Sequence, residues 1–186
     1  NITEMKKEIL IGLFILISTN LEAQEKMTND TTAVKSIDRI VKEVLRIISG
    51  EKGKVRNWEA FRDLFLPTAN FTILNHNDSI FPSSETVSLA EFIKLLNDEY
   101  YDKGFLEYET GKVVEEYNGI AHVFQSFYAK DFENNESRGV TSYQLVYFKN
   151  RWWIVNLVWT GDDNGVNVPK KYLNSSSTTK YDSVHP

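Results

Sequence analysis

The dipeptide Asn118-Gly119 separates two runs, 105–117 and 120–130, both rich in β-branched and aromatic residues. Asn and Gly tolerate the positive φ angles that a two-residue hairpin turn demands. The pattern therefore predicts a long antiparallel pair hinged at this point. Residues 138–148 and 151–159 flank Lys149-Asn150 and predict a second hairpin, with the polar stretch 131–137 joining the two. Four long strands in succession limit the chain to folds built on a large, mainly antiparallel sheet.

The first half reads differently. Val34, Ile37, Ile40, Val41, Val44, Leu45 and Ile48 recur at helical spacing, with Asp30 or Thr31 to cap the helix and Gly50 to stop it. Asn57 precedes a second helix with Trp58, Phe61, Leu64 and Phe65 on one face, ended by Pro67. A short strand is expected over 69–74, then a turn at His76-Asn77-Asp78-Ser79. Ser88 and Glu91 form a capping box for a third helix, whose stripe is Leu89, Phe92, Ile93, Leu96 and Tyr100 and whose stop is Gly104. Helices first and strands last predict an α+β fold, with helices packed on one face of the sheet.

Lys6 and Lys7 precede the apolar run 9–17, and Ala23 offers a small residue before Gln24. This three-part pattern predicts a secretory signal over 1–23, or 5–23 if translation starts at Met5, and a periplasmic or secreted product. The run is too short to span a bilayer, which takes about 20 apolar residues, so no membrane anchor is expected after cleavage. Residues 24–33 read as a linker and 174–186 as a disordered polar tail. The 186 residues carry a net charge of −5, no cysteine and three histidines. The acidic balance and the lack of a basic run argue against nucleic acid. The missing cysteines exclude disulfides, thiol nucleophiles and thiolate metal sites, and His122 alone among carboxylates predicts no metal. There is no phosphate-cradling glycine loop, so no cofactor is expected.

Counting outward from the turn, Tyr117 faces Ile120, Glu115 faces His122, Val113 faces Phe124, Gly111 faces Ser126 and Glu109 faces Tyr128. Glu115 with His122 has the form of a general acid–base pair, and Glu109 with Tyr128 that of a base beside a phenol donor. An exposed cross-strand polar pair accounts for each arrangement equally well. In the last strand Trp152, Ile154 and Val158 alternate with Trp153, Val155, Leu157 and Trp159, so both faces are apolar. A second copy pairing sheet to sheet, or the arm 161–173 folding back, would cover the second face.

The motifs Trp58-x-x-Phe61-x-x-Leu64-Phe65-x-Pro67, Gly104-Phe105-x-Glu107-x-Glu109 and Ile120-Ala121-His122-Val123 occur in that order. Arg138-Gly139-x-x-Ser142-x-Gln144-Leu145, Arg151-Trp152-Trp153-Ile154-Val155 with Trp159, and Pro169-x-x-Tyr172-Leu173 follow. Together, over 34–173, they resemble the nuclear-transport-factor-2-like superfamily, which includes the SnoaL-like proteins. The resemblance is to exported bacterial members in particular. It implies a cone: a strongly curved mixed sheet around three helices, open at one end, and frequent dimers. It implies no single activity, since relatives include isomerases, dehydratases, cyclases and non-catalytic binding proteins.

Three functions follow as expectations. One is an exported module binding a small, mostly apolar molecule. The second is a proton-transfer isomerase, cyclase or dehydratase using Glu109, Glu115, His122 and Tyr128. The third is a dimeric scaffold with a filled cone. Tyr108, Phe127, Ser142, Tyr143, Gln144 and Trp159 are the expected pocket or interface residues.

Overall fold

The computed structural model of the chain describes residues 32–76 and 82–173 together with the backbone of 179–180. The expected leader, most of the linker and most of the tail lie outside the described residues.

Helix α1 spans Ile37–Ile48, α2 Trp58–Arg62, α3 Leu89–Leu96 and α4 Glu99–Asp102. Short 3-10 turns cover Ala33–Lys35 and Lys170–Tyr172. The strands are β1 Phe65–Asn75, β2 Ser83–Ser88, β3 Phe105–Tyr117, β4 Ile120–Asp131, β5 Glu136–Phe148, β6 Arg151–Gly161 and the two-residue β7 Thr179–Lys180. They form one sheet in the order β2-β1-β6-β5-β4-β3-β7. All neighbours are antiparallel except β1 with β6 and β3 with β7. The sheet is strongly curled but not closed, and helices pack against its inner face, so the architecture is the α+β cone.

The hairpin forms where expected. Asn118 and Gly119 take φ of 45° and 84°, and Lys149 and Asn150 take 52° and 61°. Both turns thus have the paired positive φ that matches strand twist. The capping box also forms: Glu91 N–H donates to Ser88 Oγ, and the Glu91 carboxylate accepts from the Ser88 backbone.

Other boundaries move for physical reasons. The cap of α1 is Ser36, whose extended backbone lets Oγ accept from Arg39 N–H, while Val34 sits in the preceding 3-10 turn. Pro67 does not end α2, which stops at Arg62. It lies inside β1, between the Phe65 and Asn70 pairings where the ladder to β6 breaks. Proline lacks the N–H a regular ladder needs there. The third helix divides, because the Asp98 side chain accepts from Tyr100 N–H and caps the new turn α4.

The core lies between α1 and the inner sheet face. Ile40, Val41, Phe61, Phe71, Val123 and Ile154 are fully buried. Phe61, Phe65, Phe71, Phe92 and Trp159 make a continuous series of ring contacts from α2 across β1 and α3 to β6. Gly139 makes room for this inner layer. A Cβ there would sit 2.1 Å from the Thr160 carbonyl oxygen and 2.6 Å from the Phe127 ring.

Two bulges set which residues face inward. Thr110 is extra between the Glu109–Phe127 and Gly111–Ser126 pairings. Val155 is extra between Leu145–Ile154 and Gln144–Asn156. An inserted residue bends a strand and reverses the alternation beyond it. Trp152, Ile154, Leu157 and Trp159 therefore share the inner side, and Trp153 and Val158 lie outside. This corrects the expected alternation along β6.

Candidate functional site

Bulge and register together decide where each chemical group stands. Along β4, Ala121, Val123, Gln125, Phe127 and Ala129 are buried on the inner face, while His122, Phe124 and Tyr128 alternate outward. The pairs Tyr117–Ile120, Glu115–His122, Val113–Phe124 and Gly111–Ser126 form as the turn predicts. Past Thr110 the register slips. Glu109 opposes Phe127 on the inner face, and Tyr128 opposes Tyr108 on the outer face. The expected Glu109–Tyr128 pair does not form.

The four expected catalytic residues are thus divided between two faces. Glu115 is exposed. The His122 imidazole hydrogen-bonds Ser142 Oγ at 2.7 Å and meets the Phe124 ring edge-on at 4.7 Å. Tyr128 lies 5.0 Å from the Tyr108 ring, with the Arg138 guanidinium 5.2 Å from its own. Glu115, His122 and Gln144 border an open groove of about 510 Å³ near the hairpin tip. Among the expected pocket residues, Phe127, Tyr143 and Trp159 line the interior of the cone. Tyr108, Ser142 and Gln144 do not. Gln144 is exposed and accepts from Asn156, and Tyr108 is 48% exposed. The arm after β6 returns over part of the outer face: Tyr172 stacks on Phe124 at 5.3 Å, and its carbonyl accepts from Ser126 Oγ.

Glu109 is held in a polar chain. Lys112 Nζ lies 2.6 Å from both Glu109 Oε1 and Asp38 Oδ1, tying β3 to α1. Gln125 Nε2 donates to the other Glu109 oxygen at 2.7 Å, and the buried Tyr143 hydroxyl donates to Gln125 Oε1 at 3.0 Å. Both carboxylate oxygens are satisfied, so Glu109 positions the sheet rather than waits for a proton.

Glu107, two residues earlier on the same inner side, is in the opposite condition. Its backbone is pinned by Ser49, whose hydroxyl donates to Glu107 O and accepts from Glu107 N, each at 2.8 Å. Its carboxylate has no hydrogen-bond or ion-pair partner among the described residues. Protein encloses it on most sides, and it lines a cavity of about 250 Å³ between α1, α3, α4 and the sheet. Burial raises its pKa from 4.5 to about 7. The neighbouring Tyr101 and Tyr143 phenols are also raised, by burial first and by the nearby glutamate charge second.

The cavity wall carries six aromatic rings, from Phe92, Tyr101, Phe105, Phe127, Tyr143 and Trp159. Val44, Leu45, Ile48, Ile73, Leu96 and Leu157 add aliphatic surface. Polar groups are few: Glu107, Thr141 and Tyr143 inside, and Asn75, Ser137 and Asp163 where β1, β5 and β6 meet the opening. An apolar hollow with few converging polar groups is the usual form of a small-molecule site. Counting outward from the turn stops at Glu109, and strict alternation puts Glu107, Glu109 and Glu115 on one side alike, so nothing in the pattern singles out Glu107. Gly111 was the signal, since a glycine inside a strand often marks a bulge.

Among the described residues, no group of three or more histidine, cysteine, aspartate or glutamate side chains gathers to hold a metal.

The arrangement of one curled mixed sheet over a helical layer, with a hollow beneath, is the nuclear-transport-factor-2-like fold. The fold is similar to that of a nuclear-transport-factor-2-like protein from Cytophaga hutchinsonii, at 15% identity and TM-score 0.52, covering 67% of this chain and 94% of that one. It is similar to a nuclear-transport-factor-2-like protein of unknown function from Silicibacter pomeroyi, at 15% identity and TM-score 0.50, covering 67% and 92%. A third similar structure is a putative calcium/calmodulin-dependent kinase II association domain from Exiguobacterium sibiricum, at 12% identity and TM-score 0.51, covering 72% and 92%. The chain therefore has the nuclear-transport-factor-2-like fold. No family model and no curated protein matches its sequence.

Proposed function

We propose that this protein is an exported binding module. It takes a small, mostly apolar molecule into the cone, with one polar or ionisable group set against Glu107. The observation that carries this reading is the partnerless Glu107 carboxylate on the wall of a ring-lined cavity. An enclosed carboxylate without a partner costs stability, and proteins keep such groups mainly at sites that use them. The signal pattern over 1–23 supports export. Pairing of two copies through the outer face is supported by the exposed Val158 beside Asn156 and Gln144, which border a shallow groove.

A proton-transfer enzyme is the second reading, favoured by one observation. A carboxyl with a pKa of about 7 suits general acid–base work at neutral pH. In that reading Glu107 takes the role first expected of Glu109, Glu115, His122 and Tyr128.

Native mass spectrometry of the protein purified from its host tests the first reading. The expected spectrum shows a chain beginning at Gln24 with an added small-molecule mass. His122→Ala and Tyr128→Phe should keep that added mass, because both side chains face away from the cavity. Loss of the ligand in either variant would move the site to the outer groove. Turnover of enolisable ketones or epoxides, abolished by Glu107→Gln, would promote the enzyme reading over the binder.

A further inference from the structure

The chemistry of the cavity wall narrows the ligand further, and this step rests on the binding reading above. Two carboxylates face the hollow, Glu107 within and Asp163 at the opening. No lysine, arginine or histidine lines it among the described residues. Six aromatic rings line it, and the π face of an aromatic ring carries partial negative charge. The Arg56 guanidinium is turned away to the Ile48 and Tyr101 carbonyls and to Asp102. An anionic ligand would meet two like charges and no counter-charge. Above about pH 7, where Glu107 ionises, a neutral ligand would give its carboxylate no counter-charge. A cation relieves both conditions, because it supplies the missing charge and is attracted by the rings.

We infer that the ligand of this cavity is a small organic cation, an amine or quaternary ammonium on an apolar body. Size agrees with one aromatic ring and a short chain. A cavity of about 150 Å³ holds benzene, and this one has about 250 Å³. The cationic head lies against Glu107, and the apolar body lies among the rings toward Trp159. Affinity then depends on pH through Glu107. The titratable and charged groups around that carboxylate are Tyr101 of α4, Tyr143 of β5, and Glu109 of β3 reached across Tyr143, with Arg56 behind Tyr101 and Asp163, after β6, on the same cavity wall. Both phenols are raised and stay neutral over the range that matters. Glu109 is already paired to Lys112. The α1, α3 and β4 surfaces facing the cavity are apolar.

The test measures binding of benzyltrimethylammonium, its neutral carbon isostere neopentylbenzene, and phenylacetate to the full chain. Each is titrated at about pH 5.5 and about pH 8.5 by ligand-observed NMR. The expected result is that the quaternary ammonium binds tightest, gains about tenfold in affinity at the higher pH as Glu107 ionises, and loses that gain in Glu107→Gln. The pH series on the unmutated chain decides the matter even if the variant folds poorly. Neopentylbenzene or phenylacetate binding at least as tightly as the cation at pH 8.5 would overturn the cationic ligand while leaving the cavity as a binding site. Failure of all three to bind would overturn both.

Discussion

Glu107→Gln is expected to stabilise the protein at pH 8 by roughly 3 kcal/mol and to leave it nearly unchanged at pH 4. Burial moves this carboxyl from 4.5 to about 7. The folded chain thus keeps a proton that the unfolded chain releases between those values. For this group, stability is fully present below about pH 4.5, falls as pH rises through about 7, and is level above it. Each pH unit of displacement is worth about 1.4 kcal/mol, which sets the figure of roughly 3. Glutamine keeps the shape and removes the charge. Urea unfolding of both proteins across this range checks the prediction. The difference between them isolates Glu107 from every other titrating group. A difference independent of pH would mean that the carboxylate has a partner or reaches solvent.

Phe61→Ala should lower the unfolding free energy by about 3–5 kcal/mol. Phe61 is fully buried and touches Trp58, Phe65, Phe71 and Phe92. It therefore holds α2 and α3 to β1 at once. Truncation removes the transfer free energy of the ring and leaves a void that this rigid cluster cannot fill by collapse. Tyr117→Ala, at the hairpin tip where the side chain is 70% exposed, is the matched control. It should change stability by less than about 0.5 kcal/mol. Equal losses in the two variants would contradict the placement of the core.

What could be read from the sequence follows from how local each signal is. Asn118-Gly119 demands a specific turn, and the turn carries the register correctly as far as Gly111. Ser88 with Glu91 marks a helix start that forms as read. The errors arise where one residue changes the phase of many. Thr110 moves Glu107 and Glu109 from the outer to the inner face, and Val155 reverses the facing of the residues that precede it in β6, bringing Trp152 and Ile154 inward and Trp153 outward. Periodicity alone cannot locate such an insertion, because the pattern on either side stays regular. β2 was missed for another reason. Ser83, Ser84, Glu85 and Thr86 are exposed on an edge strand, so no apolar alternation marks it. The candidate site was legible in its rings, since Phe127, Tyr143 and Trp159 do line the hollow. Its carboxylate was not, because choosing between Glu107, Glu109 and Glu115 requires knowing which side is concave and which acid is already paired.

A ¹³C NMR titration of the Glu107 side-chain carboxyl tests the site most directly. The account predicts a midpoint near 7, set by enclosure in the cavity without a partner. A midpoint at the ordinary value of 4.5 would contradict it, and would take the cavity's defining group away.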